Sequence, residues 1–102
     1  MFTKRHLKSG KVKVEFTLPD SIAANAESAY LVGDFNDWDE AATPMTRYKN
    51  GKFKVSLDLE PNHEYQFRYL VNGSHWHNDW DADRYVANPF SGDNSVVNTS
   101  PD

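Results

Sequence analysis

The sequence contains no cysteine, so no disulfide holds its fold, and a reducing compartment suits it. It contains no long apolar run either. Nothing approaches the roughly 20 residues needed to cross a bilayer, and the opening "MFTKRHLKSGKVKVEF" has basic residues without the apolar stretch of a signal-peptide core. A soluble, cytoplasmic protein without a membrane partner is the expectation. Positive charge is not in excess: 11 Lys and Arg against 15 Asp and Glu leave a net −4, which lacks the electrostatic footprint of a nucleic-acid binder. Motifs that carry catalysis are missing as well. There is no G-x-S-x-G elbow, phosphate loop or H-E-x-x-H, and a chain of 102 residues offers little depth in which to exclude water from a reaction. Neither an enzyme nor a cofactor is expected.

What is present is one domain's worth of alternating strands. A chain of this length forms a single domain over residues 1–102 and buries roughly 60–70 % of its unfolded surface. In "KVKVEFTL" the apolar residues are Val12, Val14, Phe16 and Leu18, in "FKVSLDL" they are Phe53, Val55, Leu57 and Leu59, and in "YQFRYLV" Tyr65, Phe67, Tyr69 and Val71 share one face. That phase turns Gln66, Arg68 and Leu70 to the opposite face. "AYLVGDF" is more uniformly apolar, as for a strand covered on both sides, and shorter strands are read at "PMTRY", "HWHN" and "NSVVN". Asn-Gly pairs at Asn50-Gly51 and Asn72-Gly73 supply the positive φ angles of tight hairpins. "PDSIAANAES" lacks a long amphipathic repeat and reads as a loop with one helical turn, Asp20 or Ser21 being candidate caps. Short strands at this spacing predict an all-β, antiparallel sandwich. Residues 1–10 form an N-terminal arm or edge strand carrying Lys4, Arg5 and Lys8, continued by Lys11 and Lys13, and residues 99–102 form a tail.

Two groups of residues stand out chemically. "HWHNDWDAD" places His75, His77, Asp79, Asp81 and Asp83 at every second position, on one face if the run is a strand. It lacks the loop glycine of a calcium hand and has Phe90 where the distal glutamate would stand, and two histidines two apart name no third zinc ligand. Polar residues exposed on the surface, holding no metal, are the expectation. The second group is the tryptophans: Trp38, Trp76 and Trp80 lie in "NDWDE", "SHWHN" and "NDWDA", polar contexts at strand ends or just past hairpins. An exposed indole matches the apolar C–H face of a pyranose ring, and covering about 80 Å² at about 25 cal/mol per Å² contributes roughly 2 kcal/mol before entropy costs.

At this point the residues carry a resemblance. "YLVGDFNDWD", "TPM", "GKFKVSLDLEPNHEYQFRYLVNGSHWHND" and "NPFSGDNSVV", in that order from about Lys11 to Val97, resemble the family-48 carbohydrate-binding module, the isoamylase N-terminal or early-set domain. The chain looks like the free-standing bacterial isoamylase early-set domain proteins, which no catalytic barrel follows. Such modules are immunoglobulin-like sandwiches found in glycogen-branching and debranching enzymes and in the β subunit of AMP-activated protein kinase. The resemblance to the kinase branch implies that Trp38 stacks on glucose, Arg68 binds hydroxyls, Trp76 is a second stacking platform, and Phe90 and Asn94 complete the site. It also implies a partner: α-1,4-linked glucan such as glycogen, starch or maltooligosaccharide, with a glycogen-metabolism enzyme as a protein to be targeted or regulated. The other reading is an interaction or structural domain that docks on a separate enzyme through the same aromatics and has lost sugar binding. Trp38 and Trp76 exposed on one shallow groove would favour sugar; a flat apolar patch would favour docking.

Overall fold

The alternation in "KVKVEFTL" decides where the core lies. In the computed structural model, which describes residues 1–89 and 92–100, that segment is strand β2 (Val12–Thr17), with Val12, Val14, Phe16 and the following Leu18 completely buried. β2 is flanked by β1 (Phe2–His6) and β5 (Phe53–Leu59), and β5 in turn by β4 (Thr46–Arg47), giving an antiparallel sheet of order β1-β2-β5-β4. The second sheet is built on β6 (Glu64–Val71), which pairs with β3 (Ala29–Gly33) on one side. On the other side β6 pairs first with β9 (Asp93–Asn98) and then, along its C-terminal half, with β7 (His75–His77). β8 (Arg84–Ala87) closes this sheet beyond β9. The two sheets face each other as an immunoglobulin-like β-sandwich.

Between them lies a core rich in aromatic edges. Phe16 and Phe67 meet at a centroid distance of 5.1 Å and an interplanar angle of 71°, and Phe67 meets Tyr69 at 5.7 Å and 77°, the edge-to-face geometry that aromatic quadrupoles prefer. Val55, Leu57 and Tyr65 point the same way as expected but are half-buried, packing on the margin of this cluster. The uniformly apolar β3 is covered on both faces: Leu31 belongs to the core, whereas Val32, opposite Arg68, is completely buried outside it.

Residues 2–6 are an edge strand, anchored because Phe2 reaches the core against Phe16 and Phe67. The basic stretch is not bare. Lys4 pairs with Asp83, Lys11 with Glu60 and Lys13 with Asp58, exposed ion pairs that solvent screens. The single helical turn, α1 (Asp20–Ala23), forms as read but follows Pro19 as its cap residue; Asp20, a candidate cap, instead holds Lys52 at 3.0 Å. Thr99, assigned to the tail, is buried, its hydroxyl donating to the Glu60 carbonyl at 2.7 Å and its N–H to the His63 carbonyl at 2.8 Å.

The "HWHNDWDAD" run corrects the surface reading. Its strand ends at His77, and Asp79, 1 % exposed, turns inward. Its carboxylate accepts the Tyr69 hydroxyl at 2.7 Å and the Asp81 N–H at 2.9 Å and pairs with the Met1 ammonium, while its own N–H donates to Ser95 Oγ at 2.9 Å. A buried carboxylate is retained when its oxygens are hydrogen-bonded, and here both accept. Burial first, and then the negative charge of Asp79, push the Tyr69 hydroxyl well above the tyrosine value of 10.0.

Removing the Asp79 carboxylate leaves the Tyr69 hydroxyl buried without an acceptor, so Asp79→Ala should cost about 2–4 kcal/mol in urea unfolding. Since the folded state keeps the Tyr69 proton that the unfolded state releases, stability should fall as pH rises above 10.0. Tyr69→Phe should abolish that part of the alkaline slope; an unchanged slope would show that Tyr69 does not titrate on unfolding.

Candidate functional site

The loop after β3 is shaped by the absence of one atom. A Cβ on Gly33 would stand 2.4 Å from the Gln66 carbonyl oxygen and 2.8 Å from Phe67 Cβ, so only glycine lets the end of β3 lie flush on β6. The chain then makes a 3-10 turn over Asp34–Asn36. Phe35 drops into the core margin, its ring centroid 5.8 Å from Phe16 and 6.0 Å from Tyr65. Asn36 locks the turn: its Nδ2 donates to the Leu31 carbonyl and to Thr43 Oγ1, both at 2.9 Å, and its Oδ1 accepts the Gly33 N–H at 3.1 Å.

With Phe35 inside, the next residues must leave. Asp37 and Trp38 have φ of 56° and 58°, a left-handed pair that is costly for a tryptophan, by about 1–3 kcal/mol. Two contacts hold it. Trp38 N–H donates to the Gly33 carbonyl at 2.9 Å, and the indole Nε1–H donates to Asp34 Oδ1 at 2.9 Å. The half-buried indole therefore sits in its polar turn because polar neighbours fasten its edge.

On β6, Gln66 and Arg68 face away from the core, as the alternation requires. Trp76 on β7 lies directly opposite Leu70 and so shares their face; it is 37 % exposed. The hairpin joining β6 to β7 uses positive φ at Asn72 and Gly73, 53° and 77°. The Arg68 guanidinium lies 6.0 Å from the Trp76 ring centroid, a cation–π distance. Its Nε is buried and meets no acceptor among the described residues. Beside it runs a chain of amides: Asn88 Nδ2 donates to Asn94 Oδ1 at 3.0 Å, and Asn94 Nδ2 donates to Gln66 Oε1 at 3.1 Å. On the other face of β7, opposite Tyr69, burial first and then the neighbouring His75 and Arg68 hold His77 below the usual histidine range.

Trp38, Gln66, Arg68, Trp76, Asn88 and Asn94 line one open groove of about 590 Å³ on the outer face of the second sheet. Of the residues named from the sequence, Trp38, Arg68, Trp76 and Asn94 all border it, and Phe90 lies outside the described residues. Trp80, 66 % exposed, does not line it. Asp34, Gln66 and Asn88 were not singled out as site residues, yet they border it too. Gln66 was recoverable from the same alternation that placed Arg68, whereas Asp34 and Asn88 depend on loop paths that no periodicity encodes. Among the described residues, no three His, Asp or Glu side chains gather as a metal site would require, and no helix is long and apolar enough to cross a membrane. The groove can offer stacking faces, one cation and amide donors and acceptors to a neutral polyhydroxylated ligand.

Two comparisons with known proteins bear on this geometry. Residues 7–91 match the family described as carbohydrate-binding module 48 (isoamylase N-terminal domain). A 35-residue stretch is 54 % identical to part of a 1,4-alpha-glucan-branching enzyme of Emericella nidulans, covering 34 % of this chain and 5 % of that enzyme.

The loop geometry carries a test of its own. Gly33→Ala should destabilise the domain by about 3 kcal/mol, the upper end of overpacking costs, because the obstructing atom is a backbone oxygen that cannot rotate away. Urea unfolding measures it; an unchanged midpoint would mean that β3 and β6 separate freely.

Proposed function

The chain belongs to the carbohydrate-binding module 48 family, a family of binding rather than catalytic domains, and from that premise we propose that its groove binds α-1,4-linked glucan chains such as glycogen or maltooligosaccharide. The observation that supports this most directly is the convergence of Trp38, Trp76 and Arg68 on one concave surface, with amides between them. Each indole face contributes roughly 2 kcal/mol by covering the C–H face of a glucose ring, and each net hydrogen bond about 1 kcal/mol. Against these gains stands the lost freedom of a flexible oligosaccharide, so a dissociation constant between roughly micromolar and millimolar follows. Affinity in this range suits a module that tethers: it holds a partner of glycogen metabolism near a polymer that presents many chain ends. The docking alternative needs a flat apolar patch, whereas Trp38 and Trp76 border a groove that also carries the hydrogen-bonded amides of Gln66 and Asn94.

Titration with maltoheptaose and β-cyclodextrin, with a cellulose oligomer as control, is the test. Trp38→Ala and Trp76→Ala should each weaken α-glucan binding tenfold or more, about 1.4 kcal/mol, and Arg68→Ala by less because water competes for its exposed donors. Unfolding curves run in parallel separate lost binding from lost folding. If the parent prefers the cellulose oligomer, or if both tryptophan variants fold and bind maltoheptaose as the parent does, the α-glucan reading is wrong.

A further inference from the structure

We infer that Asp34 is a positioning residue for this site: its carboxylate ties the Trp38 indole to the polar floor of the groove and so sets the spacing between the stacking face and the amides. The inference rests on the glucan-binding reading, but its geometry is independent of any ligand. Both oxygens are in use. Oδ1 accepts the Trp38 Nε1–H at 2.9 Å, and Oδ2 accepts the backbone N–H of Gln66 at 2.8 Å. The second bond has a structural cause. β3 pairs with β6 through Gly33 opposite Phe67, and β3 ends there, so the next residue on β6, Gln66, has lost the strand that would have taken its N–H. A backbone donor must find an acceptor, and the Asp34 side chain supplies it where the ladder stops.

One carboxylate therefore holds a loop side chain and a sheet backbone at once, through charge-assisted bonds. From Gln66 the connection continues through its side chain to Asn94, 3.1 Å away, and from Asn94 to Asn88 at 3.0 Å. Trp38 stands on a left-handed backbone, and the bond to Asp34 is the one that fixes the edge of its indole. Fixing the indole before the sugar arrives removes an ordering cost from the binding step, which is how preorganisation raises affinity without a new ligand contact. A competing role exists, because Asp34 also borders the groove and its oxygens lie within reach of a ligand. The two roles differ in what happens when the indole N–H is removed.

The experiment is a double-mutant cycle with an NMR readout. Asp34→Ala should weaken maltoheptaose binding about fivefold in the parent, the scale of one immobilised side chain, and less than twofold in a Trp38→Phe background, where there is no N–H to hold. Asp34→Asn, which keeps one acceptor for two donors, should fall between. Equal losses in both backgrounds would mean direct sugar contact and overturn the positioning role. In the sugar-free protein, the Trp38 Nε1–H should exchange with solvent more slowly than that of exposed Trp80, and Asp34→Ala should erase the difference. If exchange at Trp38 is as fast as at Trp80, or is untouched by the substitution, the tether does not exist and the inference falls. If exchange depends on Asp34 but the parent binds no maltoheptaose, the tether stands as structure, while the glucan reading and Asp34's role in it both fall.

Discussion

Gly33 carries the constraint on which the groove depends, because a backbone carbonyl oxygen occupies the place where any other residue would put its Cβ. This close approach ends β3 flush against β6, and the chain must reverse within a few residues. The reversal needs one anchor inside and one release outside. Phe35 provides the anchor among Phe16, Tyr65 and Phe67, and Trp38 is the release. Asn36 holds the two apart with three hydrogen bonds, so the loop is determined by packing and hydrogen bonding together rather than by turn propensity alone. The same close approach exposes the Gln66 N–H to the Asp34 carboxylate, which is why the aromatic platform and the polar floor share a fixed reference.

The groove's electrostatics fit a neutral ligand. Arg68 is its cation, and Asp34 and Glu40 are acids on the same lining, so no strong field of either sign extends from it. Arg68 rests against Trp76 at a cation–π distance, while the indole remains 37 % exposed. Binding built this way should depend on contact area and alignment more than on ionic strength.

Much of this was legible in the sequence, for an identifiable reason. Period-two alternation in β2 and β6 fixes which side chains point inward, and the phase that buries Phe67 and Tyr69 turns Arg68 and Gln66 to the groove. Alternation says nothing about how far a sheet is covered, so Val55, Leu57 and Tyr65 were placed on the right face but lie at its margin. β8 passed unnoticed because "RYVA" follows the polar run "NDWDAD" with no hairpin signal before it, and its pairing with β9 is supplied by tertiary structure. Residues 1–10 read as an arm or an edge strand with no core contact named for Phe2, because one aromatic among lysines reveals no partner; its anchor in Phe16 and Phe67 is supplied by tertiary structure. Asp79 was misread for the same reason: what keeps it inside is Tyr69, Ser95 and Met1, all distant in sequence.

The tetrapeptide Asn-Asp-Trp-Asp occurs twice, at 36–39 and at 78–81, and its two fates show what local sequence can and cannot decide. In both copies the asparagine fastens the turn to a neighbouring segment: Asn36 to Leu31 and Thr43, and Asn78 to the Asp93 carbonyl and Ser95 Oγ. In both the tryptophan ends with an accessible face. The aspartate between them differs completely. Asp37 is exposed in a left-handed turn, whereas Asp79 is buried beneath the sheet edge. An indole flanked by short polar side chains has no apolar neighbour in sequence to draw it inward, and hydrogen bonds from those side chains stop the chain from rotating it there. Which surface it then faces depends on the strand to which the turn is fastened. At the end of β3 that strand is β6, beside Arg68, and the tryptophan joins a groove. Past β7 the fastening is to β9, with Asp79 drawn between the sheets, and Trp80 is left outside the groove. The polar residues around a loop tryptophan are thus better read as its anchors than as its solvent-facing company, and the site is found by asking what each anchor holds.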